Sequence, residues 1–236
     1  VEVQTGGQLA LSGTMRFCSN VTVRTGATLL DNNGSQVIFK GPLAVEGTLE
    51  KTSGGGKVQL DGPLSGSGHV TMSIGELTFG NRFSLPTGQA PTVSYTGNYL
   101  RFGEYSESVG VPPAMPPFDT MTAEIRFHLI EDALSTDHAL DDVMAKCAAA
   151  QKWVRFYTNV RSPIPILTVK DSIWDIYGLA VATGGEYGAL RVGEGATLNV
   201  ANGGIRMGDG GTASSRLELE AGGRINMLGD TPLRVG

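Results

Sequence analysis

Pairs of aliphatic residues two positions apart, divided by a glycine-bearing step, recur through both outer thirds of the chain. The clearest copy runs from Leu190 to Val200 (LRVGEGATLNV), with Leu190 and Val192, then Gly195-Ala196, then Leu198 and Val200. A period of two puts each pair on one face of a short strand. The glycine lets the backbone turn through conformations closed to other residues. The frame returns at Val1 to Leu11 (VEVQTGGQLAL) and at Leu217 to Met227 (LELEAGGRINM). It returns with one slip at Val21 to Leu30 (VTVRTGATLL) and shortened at Leu43 to Leu49 (LAVEGTL). The pattern predicts strand, tight turn and strand, over and over.

Successive units begin near Val1, Val21, Leu43 and Leu64, a spacing of 20 to 22 residues that marks a solenoid. One such unit cannot bury its apolar face alone, whereas stacked units share a continuous core. Gly41-Pro42 and Gly62-Pro63 punctuate the units where corners are expected, and Val37, Phe39, Val58 and Leu60 supply further alternating pairs. The expected architecture is all-β, a parallel β-solenoid of about eight to ten coils, built from residues 1–103 and 166–236.

Residues 104–165 break the rhythm. Val109 to Phe118 (VGVPPAMPPF) holds four prolines and cannot run through a sheet interior. Met121, Ala123, Ile125, Phe127 and Leu129 then alternate with Thr122, Glu124, Arg126 and His128, which predicts one strand with a wet face carrying an exposed His128. Ser135 or Thr136 is the expected cap of a helix running to about Lys152. Leu140, Val143, Met144 and Cys147 share one of its faces; Asp137, Asp141 and Asp142 lie near its start, and Lys146 and Lys152 near its end. A strand from Trp153 to Val160 follows, and Ser162 to Pro165 closes an inserted strand-helix-strand excursion.

Composition narrows the setting. Glycine supplies 34 of 236 residues without a three-residue period, which excludes collagen, and regularly spaced Val, Leu and Ile argue against general disorder. The net charge of −5 is spread among interspersed acids and bases, with no basic stripe to point to nucleic acid. No stretch approaches the roughly 18 apolar residues of a membrane span. The chain begins at Val1 without a signal-like segment and both ends fall inside repeat units, so it reads as a portion of something longer. Cys18 and Cys147 read as two buried thiols, with a disulfide as the alternative.

Candidate chemistry is sparse. Glu131, Asp132, Asp137, Asp141 and Asp142 are read as a solvated cluster with a dipole-favoured helix start rather than the paired carboxylates of a glycosidase. Asp171 and Asp175 flank Trp174, an arrangement that could serve as a sugar-binding platform or as core packing. His69, His128 and His138 show no metal-ligand spacing, and Gly203 to Gly211 (GGIRMGDGG) offers only Asp209 as a calcium ligand. No catalytic residue, metal or cofactor is assigned. The binding candidates are Trp153, Tyr157, Trp174, Tyr177, Asp171 and Asp175.

VRTGATLL, VGEGATLNV and LSGSGHVTM resemble the repeats of bacterial autotransporter passengers and large surface adhesins, over residues 1–103 and 179–236. That resemblance implies a right-handed parallel β-helix, export to the bacterial surface, and adhesion, aggregation or display without catalysis. The expected partner is a surface glycan or protein. A self-assembling subunit of a filament, sheath or surface layer, joined end to end, is the second reading. A carbohydrate-active β-helix acting through Asp171 and Asp175 is the third.

Overall fold

The aliphatic doublets become the inward faces of parallel rungs. The computed structural model describes all residues except 33, 81, 87, 104–111, 113, 137, 184–185, 209–213, 231–232 and 236. Asp137, Asp209 and much of the proline-rich crossing therefore lie outside the described residues. The chain forms two compact units, residues 1–101 with 114–123, and residues 102–113 with 124–236. Both are built from parallel sheets stacked as a β-solenoid, with about nine turns in all.

In the first unit one sheet stacks Glu2–Val3, Val21–Val23, Leu43–Val45 and Leu64–Ser65 in register, Val3 on Val23 on Val45 and Val21 on Leu43 on Leu64. These are the unit starts read from the sequence. A second sheet runs through Gln8–Leu11, Thr28–Asp31, Thr48–Lys51, His69–Met72, Thr92–Tyr95 and Phe118–Met121. A third holds Met15–Phe17, Val37–Phe39, Lys57–Leu60 and Glu76–Phe79. Val23, Leu29, Val37, Val45, Val58 and Leu77 are wholly buried, as period two requires.

Strand meets strand at a recurring corner. Gly6 and Gly26 take φ of 72°, and Gly7 and Ala27 donate backbone bonds of 2.8 and 2.9 Å to Gln4 and Arg24 three residues back. That is a type II turn, whose third position favours glycine. Gly195 and Gly222 repeat it in the second unit. The shortened copy at Gly47 presses directly on the turn beneath, where a Cβ would meet the Ala27 and Arg24 carbonyls at 2.3 and 2.4 Å.

The second unit stacks Glu124–His128, Trp153–Tyr157, Ile173–Val181, Thr197–Met207 and Arg224–Met227, with Leu233–Val235 pairing the later half of Thr197–Met207. A second sheet runs through Ala133–Ser135, Ile166–Val169, Gly188–Val192 and Ser215–Leu219. Phe127, Phe156 and Trp174 stack inside this unit, Phe127 and Phe156 at 4.7 Å with their planes nearly parallel.

Four expectations are corrected. The alternation from Met121 to Leu129 is not one strand: Phe118–Met121 and Glu124–His128 belong to different sheets with a corner between, though all five apolar side chains are buried. His128 is buried rather than exposed, its ring 5.0 Å from that of Tyr157 on the next rung. Ser135 caps nothing: it lies in a strand, its carbonyl accepting from Lys170, and the helix spans Asp141–Ala149 with no side-chain cap. Cys18 is exposed, Cys147 is buried, and no disulfide joins them. The strands on either side of the helix also pair in parallel, Glu124–His128 with Trp153–Tyr157 and Trp153–Tyr157 with Ile173–Val181, and the one helix among the described residues fits the single expected excursion. Its buried face of Leu140, Val143, Met144 and Cys147 is the one read from the sequence.

Candidate functional site

Parallel stacking turns a position on one strand into a column across strands. In the second unit Arg126 pairs with Arg155, Arg155 with Ala180, Ala180 with Arg206, and Arg206 with Arg234. Four of five rungs therefore present arginine at one outward position, about 4.8 Å from rung to rung. Two residues earlier, Trp153 pairs with Gly178 and Gly178 with Gly204. The two glycines leave a floor without side chains, and the Trp153 indole folds over the first of them, within 2.9 Å of where a Cβ on Gly178 would stand.

A cleft of about 310 Å³ results, lined by Trp153, Tyr177, Asn202, Gly203, Arg206 and Arg234. This is the lower end of the ordinary range for small-ligand sites. The Trp153 and Tyr177 rings meet edge to face at 6.4 Å, and the Arg206 guanidinium lies 4.6 Å from the indole centroid. Stacking on indole holds a guanidinium in place while leaving its hydrogen-bonding edge open. Both aromatics are half-buried, and Asn202, Arg206 and Arg234 are exposed.

The arginines of the column differ in their partners. Glu124 Oε1 lies 2.7 Å from Arg126 Nε and 3.5 Å from Arg155 Nε. On the other sheet Glu218 and Glu220 neutralise Arg191, at 2.6 and 3.4 Å. Among the described residues no carboxylate pairs with Arg206 or Arg234. Among the described residues, the cleft thus sets two arginines without a carboxylate partner beside two aromatic rings.

Of the residues singled out from the sequence, Trp153 and Tyr177 come together here. Trp174 and Tyr157 do not: they are 1% and 3% exposed, the first stacked on Phe127 and Phe156, the second against His128, and both serve as core. Asp171 and Asp175 face solvent while Trp174 between them points inward, so the three make no platform. Asp171 sits at a positive φ of 53° against the Gly195 turn, and Asp175 accepts from Asn199 Nδ2 at 2.7 Å, beginning a ladder that Asn226 continues. Asn202 and Arg234 are not among the sequence candidates, and Gly203 and Arg206 enter them only within the glycine-rich run Gly203 to Gly211. Their signal is a recurring apolar-Arg-apolar triplet: Ile125-Arg126-Phe127, Val154-Arg155-Phe156, Ile205-Arg206-Met207 and Leu233-Arg234-Val235.

A larger cleft of about 560 Å³ lies among Ile130, Val160, Pro163, Ile164 and Pro165. Its rim residue Asp132 is engaged structurally, accepting from the Ile166 amide at 2.8 Å. Among the described residues no three His, Cys, Asp or Glu side chains gather as a metal site, and no helix is long and apolar enough to cross a membrane. Comparison with protein-family models, with curated proteins and with solved structures returns no match. Geometry alone defines the class, a parallel β-solenoid with an aromatic and cationic cleft on one outer face.

Proposed function

We propose that the chain is an extracellular or cell-surface β-solenoid module that acts in adhesion or display, holding its ligand in the Trp153–Tyr177–Arg206 cleft without chemistry on it. The observation that carries this reading is the pairing of half-buried Trp153 and Tyr177 in one cleft with exposed Asn202 and Arg206. Aromatic rings suit the apolar parts of a sugar, and exposed amide and guanidinium groups suit its hydroxyls. The likeness of the doublet repeats to autotransporter passengers and surface adhesins supports the export setting. Surfaces coated with the chain should retain glycan-coated particles, and W153A or Y177A should reduce retention at least tenfold. Retention unchanged in both variants removes the cleft from consideration.

A second reading, assembly with copies of itself, is favoured by Leu219, Leu228 and Leu233, which are 57%, 51% and 61% exposed in and beside the strands Ser215–Leu219, Arg224–Met227 and Leu233–Val235. Exposed apolar side chains gathered on neighbouring strands invite association. Sedimentation across a hundredfold concentration range tests it: a constant monomer mass rules it out.

A further inference from the structure

We infer that the cleft selects an acidic polysaccharide, with Arg206 and Arg234 as a two-guanidinium seat for its carboxylates beside the Trp153 and Tyr177 rings. The inference rests on the binding reading above and adds the ligand's charge.

Three observations lead to it. The column sets the backbones of Arg206 and Arg234 one rung apart, about 4.8 Å, so that two flexible guanidiniums on adjacent rungs can meet acidic groups on neighbouring sugars of one polymer. The seat is also selective by compensation: Arg126 and Arg155 share Glu124, while Arg206 and Arg234, which reach into the cleft, pair with no carboxylate among the described residues. Finally, Arg206 is held against the Trp153 indole, so its planar fork is positioned before a ligand arrives. A neutral sugar would use the rings and leave the two cations without a counter-charge; a uronate chain uses both. The chain as a whole carries −5, so the positive charge belongs to this face and is not a general property of the molecule.

The test uses the full chain with hexagalacturonate and its fully methyl-esterified form, measured by titration calorimetry at low and high salt. The acid form is expected to bind at least tenfold more tightly than the ester and to weaken steeply with salt. R206Q and R234Q should each weaken the acid form at least fivefold, and by clearly more than they weaken the ester. R224Q, at an exposed arginine of Arg224–Met227 outside the cleft, should change neither. Arg206 and Arg234 are exposed, so their replacement leaves the core intact, and circular dichroism of each variant verifies this.

Equal affinity for acid and ester, or indifference to R206Q and R234Q, overturns the acidic seat; the binding reading survives that result if W153A still weakens ester binding. Absence of binding to both forms overturns the seat, and retention unchanged by W153A and Y177A in the particle assay overturns the reading beneath it. An oligodeoxynucleotide that binds more tightly than hexagalacturonate and depends on Arg206 also overturns the acidic-glycan assignment.

Discussion

Lys51 Nζ lies 3.1 Å from Asp31 Oδ2, with both side chains fully buried inside the first unit. They occupy an inward column that otherwise holds Leu11, Met72, Tyr95 and Met121. An ion pair sealed among apolar rungs recovers its desolvation cost only while both members are present. Asp31→Ala or Lys51→Ala alone should lower unfolding stability by about 3–5 kcal/mol, while the double change D31L/K51M should be neutral or stabilising. Urea unfolding of the three variants checks this, and equal losses in all three would refute it.

Tyr95 closes the same column with its hydroxyl. The oxygen accepts from the Leu77 and Tyr99 amides at 3.2 and 3.1 Å and lies 2.9 and 2.6 Å from the Gly75 and Tyr99 carbonyls. Y95F removes the shared partner of these buried groups and should cost about 1–3 kcal/mol. Burial pushes the phenol well above its ordinary value of 10.0. The unfolded phenol therefore ionises first, and stability that is complete below about pH 10 is lost as pH rises toward the folded value. Alkaline unfolding followed by tyrosinate absorbance should show this loss, and Y95F should reduce it.

The two cysteines should separate cleanly. Cys18 is exposed and Cys147 is buried on the helix, where desolvation pushes its thiol from 9.0 up to about 12. A thiol reagent at pH 8 should label one cysteine per folded chain and two after denaturation, since the thiolate is the reactive form. The same shift contributes stability that is full below about pH 9 and falls as pH climbs through about 12. Rapid labelling of both cysteines in the folded chain would contradict the burial of the helix face.

Two glycine substitutions should differ for reasons visible in the stacking. Gly13 has a φ of 71°, but no atom lies within 4 Å of where a Cβ would stand, so G13A meets backbone strain alone, about 1–2 kcal/mol. At Gly47 the new methyl would strike two carbonyl oxygens of the rung beneath, Arg24's held by the Ala27 amide of its turn and Ala27's by the Thr48 amide. G47A should therefore cost clearly more than G13A in the same denaturation assay.

The solenoid was legible because its signal is local. Doublets such as Val21 and Val23, or Leu190 and Val192, carry the strand period in three residues, and glycines such as Gly195 mark the turn. What lay outside sequence reach depends on the neighbouring rung. Inward alternation continues unbroken across the corner at Thr122-Ala123, so period alone cannot see that the strand has changed sheets. His128 is sealed by Tyr157, which lies 29 positions further on. Ser135 has a capping side chain, but pairing of Ala133–Ser135 with Ile166–Val169 prevails over that local preference. The cleft was half legible: Trp153 and Tyr177 stand out by type, whereas Arg206 and Arg234 become neighbours only through register.

Register is thus what both the core and the cleft depend on, and cross-linking measures it directly. Asp175, Asn199 and Asn226 form an outward column in the second unit, one rung apart. In a C18S/C147A background, D175C/N199C sets two thiols on adjacent rungs about 4.8 Å apart, within disulfide reach. D175C/N226C spans two rungs, roughly 9.6 Å, which is beyond it. Mild oxidation should cross-link the first pair within a chain and leave the second free. Cross-linking of the second pair with the first unreacted would contradict parallel, in-register stacking and remove the arginine column with it.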